Sequence, residues 1–575
     1  MAEPTIQLGG GNWAGKSGNL LGYYEQNKKF YAEDFTFSRS TTGTYTDKEG
    51  YIQEMPYNLS TNSQPTSGVG FQTEVVFQQT DIYDWNGVYY GDNTVRRIAF
   101  FPNTTIVGQT YTFSVFVKLT DGSTPSVGNS STDDFRMWNG AETTNSLTIT
   151  DLGNGIFRCS VVRAATSINT NVAIEKQTYN SAKTFEVSGY QVNKGTSAKT
   201  YFPTTTRLNM PRVDYLNNTN GSLILEPQST NLVTDSQNYN STYWGKQRGI
   251  LSDGGVGLFY LSPTSNVIKY EVTQTQYNQM YYRLPSNVTI GNTYTQQGYV
   301  KCDDAPYIHF QVSPITNNPK VVWDNVNKEV ITSPSSIDSV NIISLSDGWI
   351  KAEITYTASQ ASIYASIKTY FSTSSSSFYA GVPIGTIAYQ TFVQVENLPY
   401  ATSYIPTSGS SVTRNADACS ISNVADRINS SEGVLFAEIA RLDGDTSGYK
   451  ELSISDGTTS NSIKITLPNS NVIQGIVRTN ISGTIVETLI SHAPIGGYQG
   501  FQKIALKYKQ NDFALFVNGT KVGFNTNGNT CSEGVINNFS FNRGNAVNIF
   551  YGNTKCVAVF KEALTDAELA ELTTL

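Results

Sequence analysis

The chain has 575 residues, with 39 lysines and arginines against 46 aspartates and glutamates, so its formal net charge is −7. Its basic residues form no stripe of the kind that nucleic acids or anionic lipids require, and we expect the protein to bind neither. No segment approaches the roughly 20 consecutive apolar residues of a membrane-spanning helix.

The composition is typical of an all-β protein. Aromatic residues make up 12% of the chain, with 35 tyrosines and 27 phenylalanines, and there are 47 glycines. Tyrosine, phenylalanine and threonine suit pleated, half-buried strands, whereas asparagine, glycine and serine suit the turns between them. A chain of this length exceeds one hydrophobic core, and domain-size statistics predict three or four domains.

Cysteine and histidine are scarce. Five cysteines stand far apart, at Cys159, Cys302, Cys419, Cys531 and Cys556. Their odd number and wide spacing argue against a disulfide framework or a zinc site. The two histidines, His309 and His492, offer little to an enzyme that needs a histidine base. We therefore expect a non-enzymatic protein without a cofactor.

Residues 1–57 are predicted to be an N-terminal attachment arm and linker. Within them, Gly10–Ser17 matches the phosphate-binding pattern G-x-x-x-x-G-K-S. That loop binds phosphate only between a buried strand and a helix whose amide groups face the ligand. Here Gly18 and Gly22 interrupt the segment that should be the helix. A Gly-rich arm that docks on a partner surface is a better interpretation than a nucleotide site.

Residues 58–207 and 231–410 are predicted to be two copies of one β-sandwich domain, joined by a linker at 208–230. Four short segments of the first copy recur in the second in the same order, at offsets that grow from 173 to 203 residues. The pairs are Asn58–Gln64 with Asn231–Gln237, Gly108–Thr112 with Gly291–Thr295, Leu152–Gly155 with Leu345–Gly348, and Tyr201–Thr204 with Tyr404–Thr407. This pattern indicates one fold with longer loops in the second copy.

Strand patterns within the copies favour jelly-roll or sandwich domains. In Thr110–Lys118 apolar residues recur at every second position, as in a strand with one buried face. Many short strands without long helical patterns are typical of such sandwiches. The alignment places Cys302 opposite Leu119 and Trp349 opposite Ile156, so we expect both side chains to lie in a core.

Residues 411–575 are predicted to form a different sandwich that ends in a short helix. The pair Asn518-Gly519 favours a tight hairpin turn. The segment Thr565–Glu568 is a capping box, which opens the helix.

This last region resembles the laminin-G and concanavalin A-like superfamily. The similar segments are Lys503–Tyr508, Phe513–Gly519 and the closing Val559–Leu569. The resemblance implies a concanavalin A-like, lectin-type sandwich.

Further segments resemble bacteriophage fibre and tail proteins. They are Phe37–Tyr45, Asn231–Trp244, Ala401–Ser408 and Val412–Asp417. The resemblance implies a virion structural protein of the head or tail, a fibre or capsid decoration protein that attaches the phage to its host. It also implies contacts with other virion proteins through the N-terminal arm, and a homo-oligomer such as a trimer. The opening residues lack the basic and apolar regions of a secretion signal, as expected for a protein made in the host cytoplasm.

We expect such a protein to bind host surface polysaccharide, because aromatic rings stack on the apolar faces of sugars. The candidate carbohydrate-binding residues are Trp85, Tyr89, Tyr90 and Trp138 in the first copy, and Tyr281, Tyr282 and Trp323 in the second. The tryptophans do not recur at aligned positions, as expected for variable recognition loops. Most aromatic residues must nevertheless belong to cores.

Acidic pairs raise the alternative of a capsular polysaccharide depolymerase. Glycosidases need two carboxylates across a cleft. The pairs Asp133-Asp134 and Asp303-Asp304 could suggest one, but adjacent residues on a strand point to opposite faces. Turn residues are the better interpretation of both pairs.

Calcium binding is possible in laminin-G-like domains, through loop oxygens. Asp443, Asp445 and Asp456 could contribute, but their spacing is not diagnostic and we predict no metal site. A bacterial surface adhesin is a further alternative function, disfavoured because the sequence shows neither an export signal nor a wall anchor.

Overall fold

The protein is described by a computed structural model that confirms an almost entirely β architecture. The described residues are 2–10, 13–16, 19–24, 29–55, 58–60, 62–66, 76–91, 96–100, 105, 110–138, 147–167, 172–176, 183–199, 201, 209–216, 219–236, 238–255, 257–262, 265–364, 368–446, 448–469, 471–494 and 500–575. Among them no helix is long and apolar enough to cross a membrane.

The chain divides into two compact units. The larger comprises Met1–Ile52, Met210–Leu261 and Asn266–Leu575, and the smaller comprises Gln53–Asn209 with Ser262–Ser265. The first copy of the repeat is therefore inserted, in sequence, into the larger unit.

The N-terminal segment differs from the predicted arm. Its strands are β1 (Ile6–Gly9), β2 (Ala14–Lys16), β3 (Asn19–Tyr24), β4 (Lys29–Ser38), β5 (Gly43–Thr46) and β6 (Ile52–Met55). Strand β1 pairs with Gly552–Phe560 near the C-terminus, and β4 pairs with Ala418–Ser422. Alternate side chains of β4, Phe35 and Phe37, are buried in the core of the C-terminal sandwich. Of the residues predicted to be an N-terminal attachment arm and linker, those of β1 to β4 therefore complete the sheets of this sandwich, and their part in attachment stays a prediction.

The phosphate-loop pattern also takes a β conformation. Ala14–Lys16 is a strand that pairs antiparallel with β3, where a phosphate loop requires a helix. Gly11, Asn12 and Ser17 lie outside the described residues. The structure thus supports the rejection of a nucleotide site.

In its described residues, the first copy contributes nine strands. They are β7 (Val76–Gln79), β8 (Asn86–Tyr90), β9 (Arg96–Phe100), β10 (Thr110–Leu119), β11 (Arg136–Trp138), β12 (Thr148–Asp151), β13 (Ile156–Ala164), β14 (Val172–Lys176) and β15 (Phe185–Lys194). One sheet has the order β12-β13-β10-β15-β8-β7 and the other β11-β14-β9. Val115, Val117 and Cys159 lie in the core that this copy encloses.

The part of the second copy that the structure describes has twelve strands, preceded by three that connect the copies. The connecting strands are β16 (Arg212–Asp214), β17 (Ser222–Leu225) and β18 (Ser229–Asn231). The others are β19 (Trp244–Gln247), β20 (Gly249–Gly255), β21 (Val267–Val272), β22 (Asn278–Tyr282), β23 (Thr293–Lys301), β24 (Tyr307–Gln311), β25 (Lys320–Asp324), β26 (Glu329–Thr332), β27 (Ser339–Ser344), β28 (Trp349–Thr357), β29 (Lys368–Ser372) and β30 (Ile387–Glu396).

The two copies share one topology, which confirms the repeat. The sheet β27-β28-β23-β30-β21-β20 matches the six-stranded sheet of the first copy strand for strand. In the other sheet, β19-β22-β29-β24-β25-β26, the central β22-β29-β24 matches β9-β14-β11. Even a β-bulge recurs, at Gly189 with φ 65° and at Phe392 with φ 51°. Cys302 and Trp349 are buried, as predicted, and burial raises the pKa of Cys302 to about 12.

The C-terminal region forms a two-sheet sandwich with the predicted short helix. Its elements are β31 (Val412–Arg414), β32 (Ala418–Ser422), β33 (Glu432–Arg441), β34 (Lys450–Ser455), β35 (Ser462–Asn469), β36 (Val472–Ile481), β37 (Thr484–His492), β38 (Gln502–Lys509), β39 (Phe513–Val517), β40 (Thr520–Asn525), β41 (Asn538–Ser540), β42 (Gly552–Phe560) and α1 (Asp566–Thr573). Thr565 and Glu568 form the capping box of α1.

Both sheets of this sandwich recruit distant segments. One sheet has the order β2-β3-β4-β32-β41-β34-β35-β36-β37. The other has the order β16-β17-β42-β33-β38-β39-β40, with β1 also pairing with β42. The segment predicted as a linker, residues 208–230, is therefore largely structural, because β17 pairs with β42 and buries Leu223 and Leu225.

A network of buried charges joins the connecting segments of the larger unit. Asp417 accepts from Arg39 at 2.7 Å and from Arg212 at 2.6 Å. Glu226 pairs with Arg212 at 2.7 Å and with Arg414 at 2.8 Å. All five side chains are at most 1% exposed. Buried charges are tolerated only when they are paired and hydrogen-bonded, so these contacts constrain where the segments lie.

We predict that Asp417→Asn destabilises the larger unit by about 3–5 kcal/mol, because it leaves Arg39 and Arg212 without a shared buried anion. The measurement is the urea dependence of unfolding. Asp303→Asn is the matched control, since that side chain is 65% exposed and its pair with Lys301 should matter little. Equal unfolding midpoints for the two variants would contradict the prediction.

Acid should weaken the same network. Burial alone would raise the pKa of Glu226, but the charges of Arg414 and Arg212 outweigh burial and hold the pKa at about 2, below the ordinary 4.5. Glu226 therefore contributes stability that is fully present above about pH 4.5 and is lost as the pH falls toward 2. We expect urea midpoints of Glu226→Gln to depend less on pH across this window than those of the parent protein. Identical pH profiles would refute this.

Candidate functional site

Three of the seven candidate sugar-binding residues are core residues. Tyr90 and Tyr282 are 0% exposed and Trp323 is 1% exposed. Tyr90 stacks on Phe185 with ring centroids 4.7 Å apart, and the Tyr282 hydroxyl accepts from the Thr234 backbone amide at 3.0 Å. The prediction that these three side chains are exposed is wrong, because each lies on the side of its sheet that faces the core.

The other candidates of the first copy are Trp85, Tyr89 and Trp138. Trp85 is half-buried and packs against Phe116 and Tyr201, with centroids 5.3 and 4.6 Å away. Tyr83 beside it is 51% exposed, and Tyr89 is half-buried on β8. Trp138 ends β11, but its side chain lies outside the described residues.

Tyr281 is the candidate around which a site is built. It lies on β22, in the sheet β19-β22-β29-β24-β25-β26. Alternation directs Met280 and Tyr282 into the core of the second copy and leaves Tyr281 on the opposite, outer face. The inner face of this sheet is mostly apolar, with Ile308, Phe310, Val321, Trp323 and Phe371 also in the core.

Register brings a row of polar and aromatic residues across that outer face. Gly245 pairs with Tyr281, and Met280 pairs with Thr369, which sets Tyr281 beside Lys368. Lys368 pairs with Gln311, and Gln311 pairs with Lys320. The row therefore crosses five adjacent strands.

Gly245 gives the Tyr281 ring its place. A Cβ at position 245 would lie 2.3 Å from the ring atoms of Tyr281, so the ring covers the glycine. Tyr364, which is half-buried, meets Tyr281 edge to face with centroids 5.7 Å apart. Tyr281 is held on β22 and Tyr364 packs against it from the segment before β29, so the two rings form one aromatic platform.

A second group of rings covers the neighbouring part of the face. Tyr370 on β29 belongs to the outer face but is only 5% exposed.

 The loop after β29 covers Tyr370, with the Phe378 ring 4.7 Å from the Tyr370 ring and Tyr379 packed on Phe378 at 4.3 Å. The Tyr370 hydroxyl donates to Gln311 Oε1 at 2.7 Å, and His309 Nε2 contacts the Ser374 carbonyl oxygen at 2.9 Å.

Three cations lie over rings of this face. Lys368 Nζ is 4.0 Å from the Tyr364 centroid, Lys320 Nζ is 4.3 Å from that of Phe378, and Arg248 Cζ is 4.0 Å from that of Tyr277. Burial lowers the pKa of both lysines, and the charge of Lys320 lowers the pKa of Lys368 further. The face thus combines aromatic surface with positive charge and amide groups.

The acidic residues considered earlier have structural roles. Asp134 accepts from the Ser126 amide and Asp133 from the Ser130 amide, as turn residues do. Asp303 pairs with Lys301 at the surface.

The proposed calcium ligands are not grouped as a cation site. Asp445 is buried and pairs with Lys450 at 2.9 Å and with Arg441 at 3.5 Å. Within the described ranges, no group of three histidine, cysteine, aspartate or glutamate side chains could hold a metal ion.

Comparison with known proteins gives weak structural neighbours that are carbohydrate-binding modules. No family model matches the sequence, and no curated protein matches it significantly. The CBM40 module of the Ruminococcus gnavus IT-sialidase bound to alpha2,3 sialyllactose has 17% identity and a TM-score of 0.22, covering 25% of this chain and 83% of that chain. The CBM22-1-CBM22-2 tandem domain from Paenibacillus barcinonensis Xyn10C has 12% identity and a TM-score of 0.19. This match covers 63% of this chain and 100% of that chain. Such low scores transfer no binding site or ligand to this chain.

We predict that Gly245→Ala destabilises the larger unit by about 1–3 kcal/mol, because the new Cβ overlaps the Tyr281 ring. The measurement is the urea midpoint, together with near-ultraviolet circular dichroism of the tyrosines. Gly91→Ala is the matched control, since its Cβ would meet only the Tyr89 ring at an ordinary 3.7 Å. A Gly245→Ala protein as stable as this control would contradict the described packing.

Proposed function

We propose that the protein binds carbohydrate without cleaving it, through the outer face centred on Tyr281. The observation that carries the proposal is the pair Tyr281 and Tyr364, half-buried rings in edge contact beside Lys368. A sugar needs an apolar surface for its ring face and polar groups for its hydroxyls. Tyr281, the Tyr364 ring packed on it and Lys368 supply both, which is the arrangement expected of a saccharide site.

The absence of bond cleavage is part of the proposal. A glycosidase needs two carboxylates across the scissile bond. At the edge of this face, the Asp324 carboxylate accepts from the backbone amides of Val326 and Asn327, both at 2.9 Å, so it is engaged in a turn. Its role is structural.

We further propose that the protein is a bacteriophage virion component, a fibre or decoration protein that attaches to host surface polysaccharide. The supporting observation is a resemblance to phage fibre and tail proteins in four segments, Phe37–Tyr45, Asn231–Trp244, Ala401–Ser408 and Val412–Asp417. Because residues 1–57 contribute strands to the C-terminal sandwich, contacts with other virion proteins would involve folded surface in place of a free arm. Many weak sites on one particle, or on a homo-oligomer such as a trimer, would gain strength by multivalency.

The binding test uses an array of purified bacterial surface polysaccharides. We predict that Tyr281→Ala and Tyr364→Ala each weaken binding about tenfold, equivalent to about 1.4 kcal/mol, because each removes one stacking face. Tyr449→Ala is the control, since Tyr449 is 54% exposed and lies in the C-terminal region. Unchanged binding by both site variants would overturn the assignment of the site.

Two further measurements test the rest of the proposal. The first is an assay for new reducing ends after the protein is incubated with a polysaccharide that it binds. New reducing ends would show that the protein is a depolymerase and would contradict binding without cleavage. Mass spectrometry of purified phage particles should detect the chain at a fixed copy number. Its consistent absence from particles would favour a bacterial adhesin.

A further inference from the structure

The outer face of the second copy holds positive charge that the chain leaves uncompensated. Among the described residues, neither Lys320 nor Lys368 has an ion-pair or hydrogen-bond partner. Arg248 Nη1 is buried and likewise donates to no described acceptor. Arg248 also has a φ of 55°, an unfavourable backbone conformation for a residue with a side chain.

Three other lysines of the second copy have anionic partners. Lys301 pairs with Asp303 and Asp347, and Lys351 pairs with Glu353 at 2.5 Å. Lys269 pairs with Glu271 at 3.1 Å. In a chain of net charge −7, three partly buried cations that lack an ion-pair partner and lie on one face favour an anionic ligand.

The geometry of the face favours one small anionic group next to a sugar ring. Lys368 and Lys320 flank Gln311 on the two neighbouring strands, so their backbones are about 10 Å apart. No carboxylate affects the pKa of either lysine. Burial lowers both pKa values, and the charge of Lys320 lowers the pKa of Lys368 further. An anion between them would replace the solvation that both ammonium groups have lost.

We propose that this face binds an anionic saccharide, with a sugar ring on Tyr281 and Tyr364 and its acidic group between Lys368 and Lys320. This inference rests on the proposed carbohydrate-binding function and adds the class of ligand. A carboxylate or a phosphate could supply the charge, and the experiment separates these two sources. The aromatic contacts give affinity for the ring, and the cations select the acidic sugar over its neutral counterpart.

The experiment uses an array that carries each acidic polysaccharide beside its neutralised form, and it measures binding of the full chain to both. One set contains uronic acids, native and after chemical reduction of the carboxyl groups to alcohols. A second set contains phosphodiesters, native and after dephosphorylation, and a third set is neutral. We expect a native acidic set to bind at least tenfold more tightly than its neutralised partner, and binding to weaken with added salt.

Variants then test the two lysines. Lys320→Gln with Lys368→Gln should lose this preference, Lys320→Arg with Lys368→Arg should retain it, and the exposed Lys561→Gln should behave as the parent protein. Equal binding of native and neutralised polysaccharide, still dependent on Tyr281, would overturn the anionic ligand and leave the proposed function standing. Binding that is unchanged by substitution of Tyr281 and Tyr364, or no binding to any set, would overturn both the anionic ligand and the proposed function.

Discussion

Five buried charged side chains constrain the whole of the larger unit. Arg39, Arg212 and Arg414 come from three segments that are far apart in sequence, and two carboxylates hold them together. Each guanidinium pays a large desolvation cost that only its partners offset. Arg39 illustrates this, because burial lowers its pKa to about 10 even though Asp417 acts in the opposite direction.

This network explains why apparent linkers are structural. Arg39 follows β4, Arg212 begins β16 and Arg414 ends β31. Once these residues converge, the strands beside them are positioned to enter the two sheets of the C-terminal sandwich. The first copy can then be inserted between Ile52 and Met210 while the larger unit remains one compact unit.

The two copies keep one topology but differ in the surfaces they present. At the recurrent bulge, a Cβ on Gly189 would lie 2.8 Å from the Trp85 ring in the first copy. The second copy has Phe392 at this position, stacked on Tyr404 at 4.1 Å and packed on Phe259. These rings are buried, so at this position the sheet β27-β28-β23-β30-β21-β20 offers no accessible aromatic surface. The other sheet of the second copy carries the partly accessible rings of the proposed site.

Sequence predicted the repeat, the strand-rich fold and the C-terminal helix, because these depend on short-range patterns. It could not separate Tyr281 from Tyr282, since adjacent strand residues face opposite sides and only the register shows which side is the core. Tyr364, Lys320 and Lys368 were missed because they come together through pairing of distant strands. The alternation of Lys368 and Tyr370 with the buried Thr369 and Phe371 was the available signal. The N-terminal strands were missed because their glycine-rich surroundings conceal long-range pairing.

The most direct test of the account is a crystal structure of the protein with an acidic oligosaccharide that it binds. The account predicts a sugar ring against Tyr281 and Tyr364, an acidic group between Lys368 and Lys320, and intact glycosidic bonds. A saccharide bound elsewhere on the chain, or one cleaved in the crystal, would contradict it.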